Sequence, residues 1–217
     1  MSFILPVADF IIHIDTHLQS IIASYGALTY GILFFIVFCE TGLVVTPFLP
    51  GDSLLFAAGT FAALGALRIE VLVLLLATAA VLGDAVNYSL GKFIGLRTFR
   101  NGGRIFKEEY LRRTQEFYAR HGGKTIILAR FIPIIRTFAP FVAGVSGMAY
   151  WRFALFNVTG AILWVLPFTL GGFFFGNVPV VRDNFSLIIL AIILFSVVPV
   201  FAEWWRHHRR RGKASAA

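Results

Sequence analysis

No lysine or arginine precedes Arg68 in this chain of 217 residues. Cysteine is almost missing as well. The single Cys39 excludes an internal disulfide and any cysteine-based metal cluster, and in its apolar run it reads as a small packed hydrophobe. Charge of either sign is scarce, at 14% of residues against 58% hydrophobic ones, and mean hydropathy is +0.81. A water-soluble domain of this length needs charge to cover its surface, so the shortage excludes that class and points to lipid as the solvent. Histidine is confined to His13, His17, His121, His207 and His208. None lies in an expected span or hairpin and no PSGH-type motif occurs, which removes the usual nucleophile or acid/base of a membrane lipid phosphatase. His13 and His17, one turn apart, read as interfacial polar residues and not as a metal pair.

The positive charge that is present comes in blocks. Nine basic residues lie from Lys92 to Lys124 and five from Arg206 to Lys213, in a chain of net charge +8. Basicity of this size can mean nucleic acid. Here the blocks flank apolar segments, so the positive-inside rule accounts for them and no nucleic-acid partner is expected. The first residues lack a basic n-region and a small-residue cleavage site, so residues 1–25 read as an interfacial helix and not as a signal peptide.

One membrane domain fills the chain. Three segments have the ~20 apolar residues that a spanning helix needs: Val71–Gly91, Phe153–Phe175 and Asn184–Trp205. Two other stretches are apolar but interrupted. Residues 26–67 are too long for one span and are broken by Pro47, Pro50 and Gly51. Residues 125–147 hold two arginines, Arg130 and Arg136, with two prolines, Pro133 and Pro140. Both read as re-entrant helical hairpins. Charge supports this topology. With 92–124 as a cytoplasmic amphipathic segment, only a returning 125–147 places the basic tail 206–217 inside. The first hairpin then opens outward and the second inward, an inverted repeat of the kind that puts a binding site at broken helices near the midplane. The expected class is therefore an all-α integral membrane fold, with three spanning helices, two oppositely oriented hairpins and amphipathic interfacial helices such as Phe106–Arg120.

Glu40, Asp52, Arg130 and Arg136 carry the chemistry. One charge at mid-membrane costs about 2.5–3.5 kcal/mol on insertion scales, and such residues usually mark pathways; the alternative is a pair of salt bridges that merely pins the hairpins. On an unbroken helix Arg130 and Arg136 would diverge by about 240°. Pro133 interrupts the helix, so the guanidiniums can converge on a phosphate, with free N–H groups of the broken helix beside them. Desolvation favours the neutral form of a carboxyl and a nearby arginine the ionised form. Glu40 and Asp52 are thus candidate proton carriers. Asp84, Tyr88 and Lys92 are candidate accessory contacts, and Gly91 with Gly95 reads as helix packing. No cofactor or metal is expected.

The segments FCETGLVVTPFLPGDSLLFAAG, GDAVNYSLGK, HGGKTIILARFIPIIRTFAPFVAG and NVTGAILWV resemble the bacterial DedA family over most of the chain. The resemblance implies a lipid transporter of the bacterial inner membrane, not an enzyme, linked to undecaprenyl phosphate or phosphatidylethanolamine and dependent on proton motive force. It also implies that two acids and two arginines are essential, at positions matching Glu40, Asp52, Arg130 and Arg136. By family analogy alone, a homodimer is suggested. From the residues themselves two functions compete: a proton- or sodium-coupled carrier of a phosphate-headed lipid, and a proton/cation antiporter that carries no lipid.

Overall fold

Charge is turned inward and hydrocarbon outward in the computed structural model of this chain. Phe35, Leu74, Leu163 and Phe174 stand exposed, whereas Glu40, Asp84, Arg130 and Arg136 are each at most 4% exposed. That inverts the arrangement of a water-soluble domain and fits a lipid surrounding. The structure describes residues 24–43, 51–100 and 122–176, together with Ser20, Val178, Pro179 and Ala191. Among the described residues are helices α1 (Leu28–Gly42), α2 (Gly51–Ala63), α3 (Ile69–Arg100), α4 (Lys124–Ala129), α5 (Pro133–Val145) and α6 (Tyr150–Phe175), and no strand.

Two of these helices are long and apolar enough to cross a bilayer, over Ile69–Ile94 and Tyr150–Phe175, 26 residues each. At 15, 13 and 13 residues, α1, α2 and α5 fall short of the ~20 that a hydrocarbon core requires. The third expected span, Asn184–Trp205, lies outside the described residues apart from Ala191. So do Met1–Gln19 with its histidines, Pro47, Pro50, Phe106–Arg120 and the basic tail.

Several expected boundaries change. The helix expected at Val71–Gly91 begins at Ile69 and runs on to Arg100, so Lys92–Arg100 extends it and does not open a separate segment. Lysine, arginine and leucine are good helix formers and no proline intervenes, so losing apolar character marks an exit from hydrocarbon, not a helix end. Likewise α6 starts at Tyr150, ahead of Phe153. Pro140, expected as a hairpin break, lies inside α5, which continues past it; one missing N–H removes one rung and leaves the others. Pro133 does make a break. It takes the first position of α5, where its absent N–H costs nothing. Ile132 before it is extended (φ −117°, ψ 108°), as the residue preceding proline prefers. Gly51 opens α2 and is buried.

The same order occurs twice: a first limb (α1, α4), a second limb of 13 residues (α2, α5) and a long helix (α3, α6). Among the described residues four glycines of positive φ repeat it, Gly26 and Gly122 ahead of the first limbs and Gly65 and Gly147 in the turns to the long helices. Packing crosses between the two units. Each first limb lies on its own long helix, while α2 lies on α6 and α5 on α3. Both crossings are backbone-close. A side chain at Gly59 or Gly172 would strike the Thr169 or Phe56 carbonyl, and one at Gly144 or Gly91 the Tyr88 or Phe141 carbonyl. Small residues let helices in lipid approach this closely, where van der Waals contact replaces the hydrophobic drive.

Candidate functional site

The break before Pro133 sets where the arginines point. Arg130 caps the end of α4 and Arg136 lies in the first turn of α5. The first limb of the other unit carries Glu40 in its last turn, and its second limb carries Asp52 in its first turn. The crossed packing brings these ends together.

Arg136 forks between the two acids of the first unit. Its Nη2 donates to Glu40 Oε1 at 2.5 Å and its Nη1 to Asp52 Oδ1 at 3.0 Å. The Glu40 carboxylate is packed against the Gly51 backbone, where even a Cβ would collide with it. Arg130 has a different partner set. Its Nη2 donates to Asp84 Oδ2 and, at 2.9 Å, to Asn157 Oδ1. Asn157 in turn donates to the Val81 carbonyl at 3.0 Å. A buried guanidinium is tolerable only with such charge-assisted bonds, since an unpaired one loses its hydration without replacement.

Trp164 stands between the two groups. The guanidinium carbons of Arg136 and Arg130 lie 4.6 Å and 5.9 Å from its ring centroid, within the range of cation–π attraction. Its indole Nε1 donates to Asp52 Oδ1 at 2.7 Å. The guanidiniums thus converge, but on an aromatic ring, Arg130 keeping one carboxylate and Arg136 two.

Of the residues singled out in the sequence, Glu40, Asp52, Arg130, Arg136 and Asp84 come together. Tyr88 does not join them: its hydroxyl donates to the Met148 carbonyl and its ring stacks 4.4 Å from that of Phe153. Lys92 is exposed. Pro133 forms the break that separates the arginines, and Pro140 sits further along α5. Trp164, Asn157 and Asn87 were not singled out. Asn157 and Trp164 are seven residues apart, on one stripe of α6 with Gly160 and Ala161, all buried. A polar Asn in an apolar span was the available signal.

Trp164→Phe keeps an aromatic face and removes the N–H. The loss of one hydrogen bond to a carboxylate, about 1.5 kcal/mol, is expected to lower the thermal midpoint by roughly 3–6 °C. Trp164→Leu, which removes the face from both arginines as well, is expected to lower it further in the same thermal scan.

Comparison with known proteins fits this architecture. The VTT domain family matches residues 49–174, which cover both repeated units except α1 and the end of α6. Protein DedA of Escherichia coli (strain K12) is 54% identical over 99% of this chain and 100% of its own length. An uncharacterized membrane protein of Mycobacterium leprae (strain TN) is 43% identical over 83% of this chain and 81% of its own. Inner membrane protein YqjA of Escherichia coli (strain K12) is 37% identical over 81% of this chain and 80% of its own. No solved structure matches. These relatives, with the apolar surface and the two long helices, define an all-helical membrane protein of the VTT-domain class. Within that class the chain belongs to the DedA family.

Proposed function

We propose that this protein moves a phosphate-headed lipid, polyprenyl phosphate in first place, between the leaflets of the bacterial inner membrane, driven by a proton or sodium gradient. One observation carries the reading: two buried guanidiniums converge on Trp164 inside a molecule whose outer surface is apolar. An ion pair that can be exchanged is the working part. In the arrangement described, carboxylates occupy the arginines. Protonation of Glu40 or Asp52 releases Arg136, a lipid phosphate takes the vacated donors, and deprotonation later expels it. In this reading the short limbs on each side of the site are re-entrant hairpins opening to opposite leaflets. Residues 184–205 supply the third span, and the basic tail is cytoplasmic. Lipid exchange requires no bond cleavage, so no inorganic phosphate is released. A homodimer is the proposed assembly.

Liposomes holding pure protein and labelled undecaprenyl phosphate test the proposal. Exchange between leaflets is expected above protein-free liposomes and to accelerate under a pH or sodium gradient; no excess under any gradient removes it. Labelled phosphatidylethanolamine in parallel liposomes tests that lipid as the alternative cargo. A second reading, proton/cation antiport without lipid, is favoured by the fact that both arginines are already paired. It makes them fixed partners of the acids, which carry the mobile cations.

A further inference from the structure

One stripe of α3 carries both limbs that bear the Glu40–Arg136 pair. Gly83, Asn87 and Gly91 are spaced by four residues and share a face of the helix. At Gly83 the stripe meets α1, where a side chain would strike the Thr41 hydroxyl and the Phe38 carbonyl. At Gly91 it meets α5, where a side chain would strike the Phe141 carbonyl. Both α1 and α5 lie on α3 and touch each other little. Asn87 stands between these two contacts and is 0% exposed.

Its amide serves both limbs. Asn87 Nδ2 donates to the Thr41 carbonyl of α1 at 3.2 Å and to the Thr137 carbonyl of α5 at 2.7 Å. Two carbonyl acceptors fix the amide orientation, because only its NH2 end can donate. Thr41 follows Glu40 and Thr137 follows Arg136. The amide therefore holds the backbone directly beyond each member of a pair whose side chains meet at 2.5 Å. Thr41 also lies in the last turn of α1, where a helix leaves its carbonyls without a donor of its own. Its hydroxyl is taken up by the Val37 carbonyl at 2.9 Å. Since α1 and α5 belong to different units, this tie crosses between the units as the ion pair does.

We propose that Asn87 is a positioning residue: it holds the backbones of Glu40 and Arg136 in register, so that their ion pair can open to an anion and close again without the limbs parting. Two ties join the same limbs. When the first exchanges Glu40 for a phosphate, the second stays, because carbonyls bonded to an amide neither take up protons nor compete for the guanidinium. This deepens the transport reading and rests on it for its use, the admission of a lipid phosphate. The register itself is independent of the cargo.

A double-mutant cycle repeated in a second background tests it, by thermal unfolding of the full chain in nanodiscs. Glu40→Gln and Arg136→Lys, singly and together, give a non-additive part of the midpoint shift that reports the coupling of the pair. Asn87→Leu keeps the side-chain bulk and loses both donors; in that background the non-additive part is expected to fall to roughly half or less. Thr60→Val is the control. It removes the bond from the Thr60 hydroxyl to the Gly172 carbonyl (3.2 Å) at the α2–α6 crossing, and is expected to lower the midpoint while the coupling stays whole. Coupling that persists in Asn87→Leu, or that falls equally in Thr60→Val, overturns the proposal. Should Asn87→Leu not fold, Asn87→Ser, with one donor for two carbonyls, goes through the same cycle and is judged by the same two results. In liposomes, Asn87→Leu is expected to raise the half-saturating concentration of labelled undecaprenyl phosphate about tenfold, the equivalent of one hydrogen bond to the phosphate, and to leave the maximal rate of the folded protein nearly unchanged. A lowered maximal rate at unchanged half-saturation overturns the part given to Asn87 in transport. A wild-type chain that exchanges no lipid while the cycle gives the expected result removes the transport reading and leaves the register.

Discussion

Arg136→Lys is expected to abolish gradient-driven lipid exchange while the protein still folds. Arginine serves Glu40 and Asp52 at once through two nitrogens of a planar fork, at 2.5 Å and 3.0 Å, and lays the same plane near Trp164. A lysine ammonium is a point charge that preserves the charge balance but cannot span both acids or grip a phosphate with two parallel bonds. One lost charge-assisted hydrogen bond is worth about 1.5–3 kcal/mol, so binding of the lipid phosphate falls roughly tenfold to a hundredfold. Exchange rates in liposomes, with thermal unfolding as the folding control, check this. Undiminished exchange shows that Arg136 does not hold the phosphate. Undiminished cation flux with no lipid exchange in either protein favours the antiport reading.

The second large effect is expected at Asp84. Asp84→Ala takes from Arg130 its carboxylate partner and leaves it Asn157 and the Trp164 face, and breaking a buried ion pair costs about 3–5 kcal/mol. The midpoint should fall by roughly 10 °C or the chain fail to accumulate. Adding Arg130→Met removes the stranded charge and fills its volume, so the double variant is expected to regain most of the stability. It is not expected to regain lipid exchange, because one phosphate ligand is gone. Recovery of both by the double variant makes Arg130 a structural partner of Asp84 and nothing more. Recovery of neither shows that Asn157 and Trp164 cannot close over the gap.

What could be read in advance follows from the range of each interaction. Pro133 was legible because its effect is local: it lacks an N–H and constrains the residue before it, and the break lies there. Pro140 was misread because the same chemistry inside an apolar helix removes one bond and is tolerated. The stretch Lys92–Arg100 was assigned to a separate cytoplasmic amphipathic segment because charge was taken as a sign of the span ending, when it signals only the change of solvent. That the acids and arginines would be buried followed from their apolar surroundings. Their pairing did not. Arg136 reaches Glu40 across 96 residues and Arg130 reaches Asp84 across 46, and no local pattern encodes that choice. Trp164 was invisible for another reason. An aromatic residue in an apolar span is equally at home facing lipid, and only the arrangement of α2, α5 and α6 makes it the floor between two guanidiniums.

The crossed packing of the two units bears on how the protein comes into being. Glu40, Asp52 and Asp84 are all synthesised before Arg130 and Arg136. The second limb of the early unit has its principal seat on α6, the last helix of the late one. Until the second half arrives, α2 lacks its principal seat and the three acids lack their arginine partners. A nascent first half is therefore obliged to keep its carboxyls protonated or near water. Its helices settle only when the second half slides into place and brings the arginines with it. Assembly is the closing of a clasp, not the stacking of finished parts, and the pairing of the buried acids waits for the second half.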